Sequence, residues 1–174
     1  LAFRLGKNVP SQTIPSLVHY FTHNGKPYLG YQNRDGNNEI ILYDFKTQKM
    51  VKRIKYQHRG PDGVGGVDGF HPLNFDSIFV TAISEHLHTL FLTDTSGTVI
   101  EKIEFDILGK KKNLRYILKS LDKRNSLVKV KNKLYARTYP AFGKIIGKQI
   151  SNYSPGIIYD LQENTQRKTP FHYP

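Results

Sequence analysis

Apolar residues along the chain come in short runs broken by polar turns, and three stretches repeat one plan. The first runs Tyr28-Leu29-Gly30-Tyr31, then polar residues from Gln32 to Glu39, then Ile40-Ile41-Leu42-Tyr43-Asp44, and closes with Met50-Val51-Lys52-Arg53-Ile54. The second runs Ser77-Ile78-Phe79-Val80-Thr81, then Thr89-Leu90-Phe91-Leu92-Thr93-Asp94, then Thr98-Val99-Ile100-Glu101-Lys102-Ile103. The third runs Lys133-Leu134-Tyr135-Ala136-Arg137-Thr138, a longer insertion, and Gly156-Ile157-Ile158-Tyr159-Asp160. Runs this short, rich in β-branched and aromatic residues, predict strands.

In each repeat a strand ends in Asp44, Asp94 or Asp160 and a tight polar turn follows. The spacings are 50 and 66 residues. Four-stranded propeller repeats take ~40–50 residues, so the first spacing fits and the second needs an insertion. The pattern predicts an all-β protein of β-propeller type: about three antiparallel four-stranded blades in one domain spanning 1–174, with repeats near 28–57, 77–105 and 127–170. The aspartates read as turn residues, because a short carboxylate accepts hydrogen bonds from amides across the turn. Gly97 supplies the positive φ of the same hairpin. One short helix is expected over 113–121, where Leu114, Ile117, Leu118 and Leu121 fall at helical spacing.

Between the first two repeats lies His58-Arg59-Gly60-Pro61-Asp62-Gly63-Val64-Gly65-Gly66-Val67-Asp68-Gly69-Phe70. Its five glycines and one proline argue against a regular helix or strand through most of it. No Lys-Ser or Lys-Thr follows the last glycine, as a Walker loop requires, and no strand and helix flank it as in a dinucleotide fingerprint. It reads as an inter-blade connection passing close to the central axis. Connecting loops carry contacts more often than strands do, which makes His58, Arg59, Asp62 and Asp68 the candidate ligand-binding residues.

The order Arg59-Gly60-Pro61-Asp62-Gly63-Val64-Gly65, Asn74-Phe75-Asp76-Ser77-Ile78-Phe79, Leu92-Thr93-Asp94-Thr95-Ser96-Gly97 resembles an uncharacterised family of six-bladed propeller-like lipoproteins of gut anaerobes, related in form to NHL and TolB-like propellers. The likeness is good over 28–105 and looser beyond. It implies a propeller fold, export to the periplasm or cell surface as either a lipid-anchored or a freely secreted protein, and no assigned activity, and it brings no catalytic residues. Such proteins are about twice as long, so the chain looks like the N-terminal half of a ring. Two copies closing one ring as a homodimer is the corresponding expectation.

Composition narrows the chemistry. There is no cysteine, which excludes disulfides, thiolate metal sites and cysteine nucleophiles. No run approaches the ~18 apolar residues of a membrane span. The chain opens Leu1-Ala2-Phe3-Arg4-Leu5 without Met, as a processed or trimmed chain does, and any targeting signal would then be gone. The formal net charge is +12, and ten Lys or Arg with one acid, Asp122, crowd the stretch from Lys110 to Lys133. Lys111, Lys112 and Arg115 are the candidate patch for an anionic partner, a glycan or a lipid headgroup. Nucleic acid is the weaker fit, because Tyr116 is the only ring inside that stretch and stacking platforms need several.

Catalytic signatures are missing. No serine stands in Gly-x-Ser-x-Gly. His86 and His88 share a strand face without a third ligand in view, and His19 and His23 read as strand and turn. No metal, cofactor or catalytic residue is predicted. The expectation is a soluble, extracytoplasmic, non-enzymatic binding or scaffold module of the bacterial cell envelope. The competing expectation is a hydrolase or lyase acting on anionic polysaccharide from the propeller funnel, with Asp62, His58 and Tyr139 as the residues to watch.

Overall fold

The computed structural model describes residues 18–33, 38–83, 89–104, 116–118, 127–140 and 156–168. Blade 1 is β1 (Val18–His23), β2 (Lys26–Asn33), β3 (Glu39–Asp44) and β4 (Met50–Lys55), hydrogen-bonded in chain order and antiparallel throughout. Blade 2 repeats this with β5 (Gly66–Asn74), β6 (Ser77–Ile83), β7 (Thr89–Thr93) and β8 (Val99–Glu104). After β9 (Tyr116–Leu118), blade 3 consists of β10 (Val128–Val130), β11 (Lys133–Pro140), β12 (Gly156–Asp160) and β13 (Thr165–Lys168). The architecture is all-β and a partial propeller.

Two sequence expectations change. Among the described residues there is no helix, and Tyr116–Leu118, the centre of the expected one, is strand β9 paired with Thr138–Pro140. The 3.6-residue pattern rested on four side chains, and a sheet edge in need of a partner overrides so short a signal. The second change is β5, which runs through the second half of the glycine-rich stretch. It pairs only with β6, so it is an edge strand, where Pro72 loses no ladder bond that the sheet requires. Register shifts between Val67 and Gly69 and between Pro72 and Asn74 absorb the irregularity. β1 and β5 each add a first strand ahead of the repeats at 28–57 and 77–105.

Turn chemistry explains the hairpins. β1 and β2 join through Asn24 (φ 50°) and Gly25 (φ 72°), the pair of positive φ values a two-residue hairpin turn needs. Each turn aspartate accepts backbone amides, as expected: Thr47 N–H to Asp44 (2.7 Å), Ser96 N–H to Asp94 (2.8 Å) and Gln162 N–H to Asp160 (3.0 Å).

Alternation along the central strands distributes side chains to both faces of a blade. In β3, Ile40 and Leu42 face blade 2 while Ile41 and Tyr43 face the opposite way, and all four are buried. Blade 2 sends Ile78, Val80 and Phe91 toward blade 1, and Phe79, Leu90 and Ile103 toward Leu134, Ile157 and Tyr159 of blade 3. Burial on both faces is why these strands read as continuous apolar runs.

Sheet twist sets how the blades meet. At the inner edge β1 and β5 lie with like ends together: His19 sits edge-on to Phe70 (4.8 Å) and His23 stacks on Phe75 (4.6 Å). At the outer edge unlike ends meet, since Tyr56 after β4 bonds Thr93 at the β7–β8 turn (hydroxyl to hydroxyl, 3.0 Å). Rotation accumulated over four strands produces this crossing.

The tightest contact between blades is Gly30 against the Phe70 ring. A Cβ on Gly30 would stand 2.7 Å from Phe70 Cε2, and Phe70 is fully buried and has nowhere to go. Gly30→Ala is expected to lower stability by about 1–3 kcal/mol in urea unfolding. Adding Phe70→Leu should cost less than the sum of the two single changes, since both act on one contact; additive losses would contradict the packing described.

Candidate functional site

The candidate site is the loop from Gln57 to Gly65 that carries the chain from blade 1 into blade 2. Asn38 ties its neck: the side-chain amide donates to Tyr56 O (3.1 Å) and Gly65 O (2.8 Å), and its oxygen accepts Val67 N–H (2.6 Å). The backbone of Asn38 also accepts Tyr56 N–H (3.0 Å). Within the loop, Gly63 N–H donates to Gly60 O and Val64 N–H to Gln57 O, both at 3.0 Å. The turn is so tight that a Cβ on Gly63 would lie 2.6 Å from the Arg59 carbonyl carbon. Val64 is buried in the core between blades 1 and 2 and plugs the loop down.

The far side of the loop leans on blade 2. Asp62 accepts Val99 N–H (3.0 Å), and Lys102 Nζ donates to Pro61 O (3.1 Å). Gly97, at φ 86°, lies so close to Lys55 O that a Cβ would be 2.7 Å away. The connection therefore rests on the outer strand β8 and the β7–β8 turn, and not beside the inner strands as its reading from sequence had it. The cause is the twist, which swings the end of β4 across to that turn.

The four loop candidates divide. His58 and Arg59 stand exposed at the tip, with Gly60 and Pro61 beside them. Asp62 is turned inward to Val99, and Asp68 lies in β5, half-buried at the register shift. Lys111, Lys112 and Arg115 lie outside the described residues, as do His86 and His88, and the side chain of Tyr139 is not described either. Among the described residues no group of three or more His, Asp or Glu is placed to hold a metal ion, and no helix is long and apolar enough to cross a membrane.

Sequence reading missed two polar groupings. One is Glu39, fully buried, which accepts Asn33 Nδ2 (2.8 Å) and Arg53 Nη1 at both oxygens (3.0 and 3.2 Å). The other is the inner-edge pair His19 and His71, with ring centroids 5.7 Å apart; burial lowers the pKa of His71 and favours its neutral form. Neither has a local motif, because each is assembled across strands.

A scan against protein families matches residues 1–174 to one described as a domain of unknown function, DUF4221. The chain belongs to the DUF4221 family. A crystal structure of a DUF4221 member from Bacteroides vulgatus superposes with a TM-score of 0.75 at 20% identity, covering 95% of this chain and 46% of that one. The chain thus spans about half the length of that relative. Two further solved structures are more distant. The Neurospora crassa Pan2 WD40 domain gives a TM-score of 0.42 at 11% identity, over 91% of this chain and 39% of that one. BamB from Moraxella catarrhalis gives 0.32 at 12%, over 85% and 50%. No curated protein matches. The first superposition supports the fold; none of the three assigns an activity to this DUF4221 chain.

Two tests follow from the geometry. Asp62→Ala removes the anchor to Val99, worth about 1 kcal/mol, and trypsin should then cut after Arg59 about fivefold faster while the far-UV spectrum is unchanged. Equal cutting rates would show that the loop is not held there.

The turn aspartates predict a pH dependence. The Thr47 amide lowers the pKa of Asp44, and the Ser96 hydroxyl, its largest cause, lowers that of Asp94. A carboxyl with a lower pKa in the folded state adds stability above its unfolded value of ~3.9, and that stability is lost as pH falls through the folded value. The Tm gap between the unaltered chain and Asp94→Asn should be small but present at neutral pH, and should close in acid below that range. Both groups are exposed, so a large gap is not expected.

Proposed function

We propose that this chain is the binding part of a DUF4221 protein of the bacterial cell envelope, and that it holds an anionic glycan through the tip of the Gln57–Gly65 loop without chemistry of its own. One observation carries the proposal: the loop is anchored at its neck, by its core plug and on β8, yet presents His58 and Arg59 to solvent. A tip ordered before binding loses little entropy on contact, which is what a recognition loop requires. A guanidinium matches the paired oxygens of a carboxylate or sulfate, and a chain of net charge +12 draws such polymers in.

Export, a lipid anchor and a six-bladed ring are supported by the resemblance of the Arg59–Gly65, Asn74–Phe79 and Leu92–Gly97 segments to envelope propellers. The alternative of a hydrolase or lyase needs carboxylates or a His–Tyr pair meeting in the central funnel, whereas Asp62 lies on the outer side of the blade, accepting the Val99 amide.

Titration with polygalacturonate, with anionic phospholipid vesicles as the second arm, tests the reading. Arg59→Ala should weaken polygalacturonate binding about fivefold, a loss of about 1 kcal/mol, and leave Tm unchanged. Binding should also weaken as salt rises. Affinity indifferent to both would remove the loop tip from the site, and vesicle binding alone would reassign the partner to a lipid surface.

A further inference from the structure

In every blade, the residue two positions before the turn aspartate pairs across the sheet with one residue of the preceding strand. The pairs are Leu42 with Gly30, Leu92 with Phe79, and Ile158 with Tyr135. The first two form the seat for the next blade. Gly30 and Leu42 receive the Phe70 ring from β5, and Phe79 and Leu92 belong to the core shared with blade 3. The third pair has the same register and the same orientation, but Tyr135 and Ile158 are only half-buried.

Among the described residues, little covers the sheet around that pair. Val128 pairs with Tyr135 and is 51% exposed, and Val130, on the same face, is 50% exposed. A hollow of about 290 Å³ lined by Lys133, Ile158, Asp160, Glu163 and Thr165 borders them. The outward face of blade 1 contrasts with it, since Tyr31, Ile41 and Tyr43 there are at most 4% exposed. Exposed valines beside a half-covered aromatic are what an interface lacking its partner looks like.

We infer that this face of blade 3 is the seat of a fourth blade, carried by the half of a DUF4221 protein that this chain does not span. Two observations choose the occupant. The face continues, in register, a packing used twice already within the chain. The crystallised DUF4221 relative extends beyond the 46% of its length that this chain covers. The hollow carries Lys133 beside Asp160 and Glu163, so its rim has no single sign of charge for a polyanion to follow.

The absence of cysteine makes a direct test possible, because one introduced thiol reports on one place. Val130→Cys probes the face, and Val51→Cys, on the outer strand of blade 1, is the control. Each variant is co-expressed with the unmatched half of the Bacteroides vulgatus relative. The expected result is a one-to-one complex by light scattering, with thiol labelling at position 130 slowed about tenfold and labelling at 51 unchanged. Tyr135→Lys with Ile158→Lys should abolish the complex while the chain alone keeps its strand spectrum.

Three outcomes would overturn the inference. One is the absence of any complex. Another is a complex in which position 130 still labels freely, which places the contact elsewhere. The third is a chain that alone shows twice the mass of 20.0 kDa with position 130 already protected, which gives the face to a second copy.

Discussion

The structure depends on the apolar faces of neighbouring blades covering one another, and blade 2 is covered in this way on both sides. A four-stranded sheet whose central strand carries Ile40, Ile41, Leu42 and Tyr43 has apolar side chains pointing both ways, and neither set tolerates water. Stacking sheets face to face satisfies the requirement, and every blade but the last hands it on to a neighbour. Gly30 shows how closely the handing-on is made. Its missing side chain is the space into which blade 2 places Phe70.

Twist decides how the chain passes from one blade of that stack to the next. Because the strands rotate from β1 to β4, the chain leaves blade 1 already lying over the outer turn of blade 2. The crossing loop is therefore held by the neighbour it is about to enter: Asp62 reaches Val99 and Tyr56 reaches Thr93. Burial raises the pKa of the Tyr56 phenol far above its ordinary value, so it stays neutral in that bond. A loop built this way is held where it crosses and presents His58 and Arg59 to solvent at its tip. The same geometry that links blades thus also displays a basic tip.

Legibility differed between levels of structure. The strands β2–β4 and β6–β8 and the Asp turns were readable because each is set by residues close in the chain: an apolar run, an aspartate, then a polar turn. β5 was not, since Gly66, Gly69 and Pro72 carry the local signals of a loop and become a strand only because β6 offers them a ladder. The apparent helix failed at Tyr116–Leu118 for the related reason that β11 offered these residues a ladder. Of the candidate site, exposure of His58 and Arg59 followed from their place in a loop. The inward turn of Asp62 and the clamp by Asn38 did not, because their partners lie 37 and 18 residues or more away.

By itself the sequence determined the all-β class, the repeat of a strand closed by aspartate and the positively charged surface, all of which arise from short-range patterning and composition. Only the tertiary structure decided which face of each strand meets which blade, that the glycine loop rests on the outer edge, and that Tyr135 and Ile158 repeat the seat made by Gly30 and Leu42. Those outcomes depend on twist and on packing between residues far apart in the chain, and no local pattern encodes either.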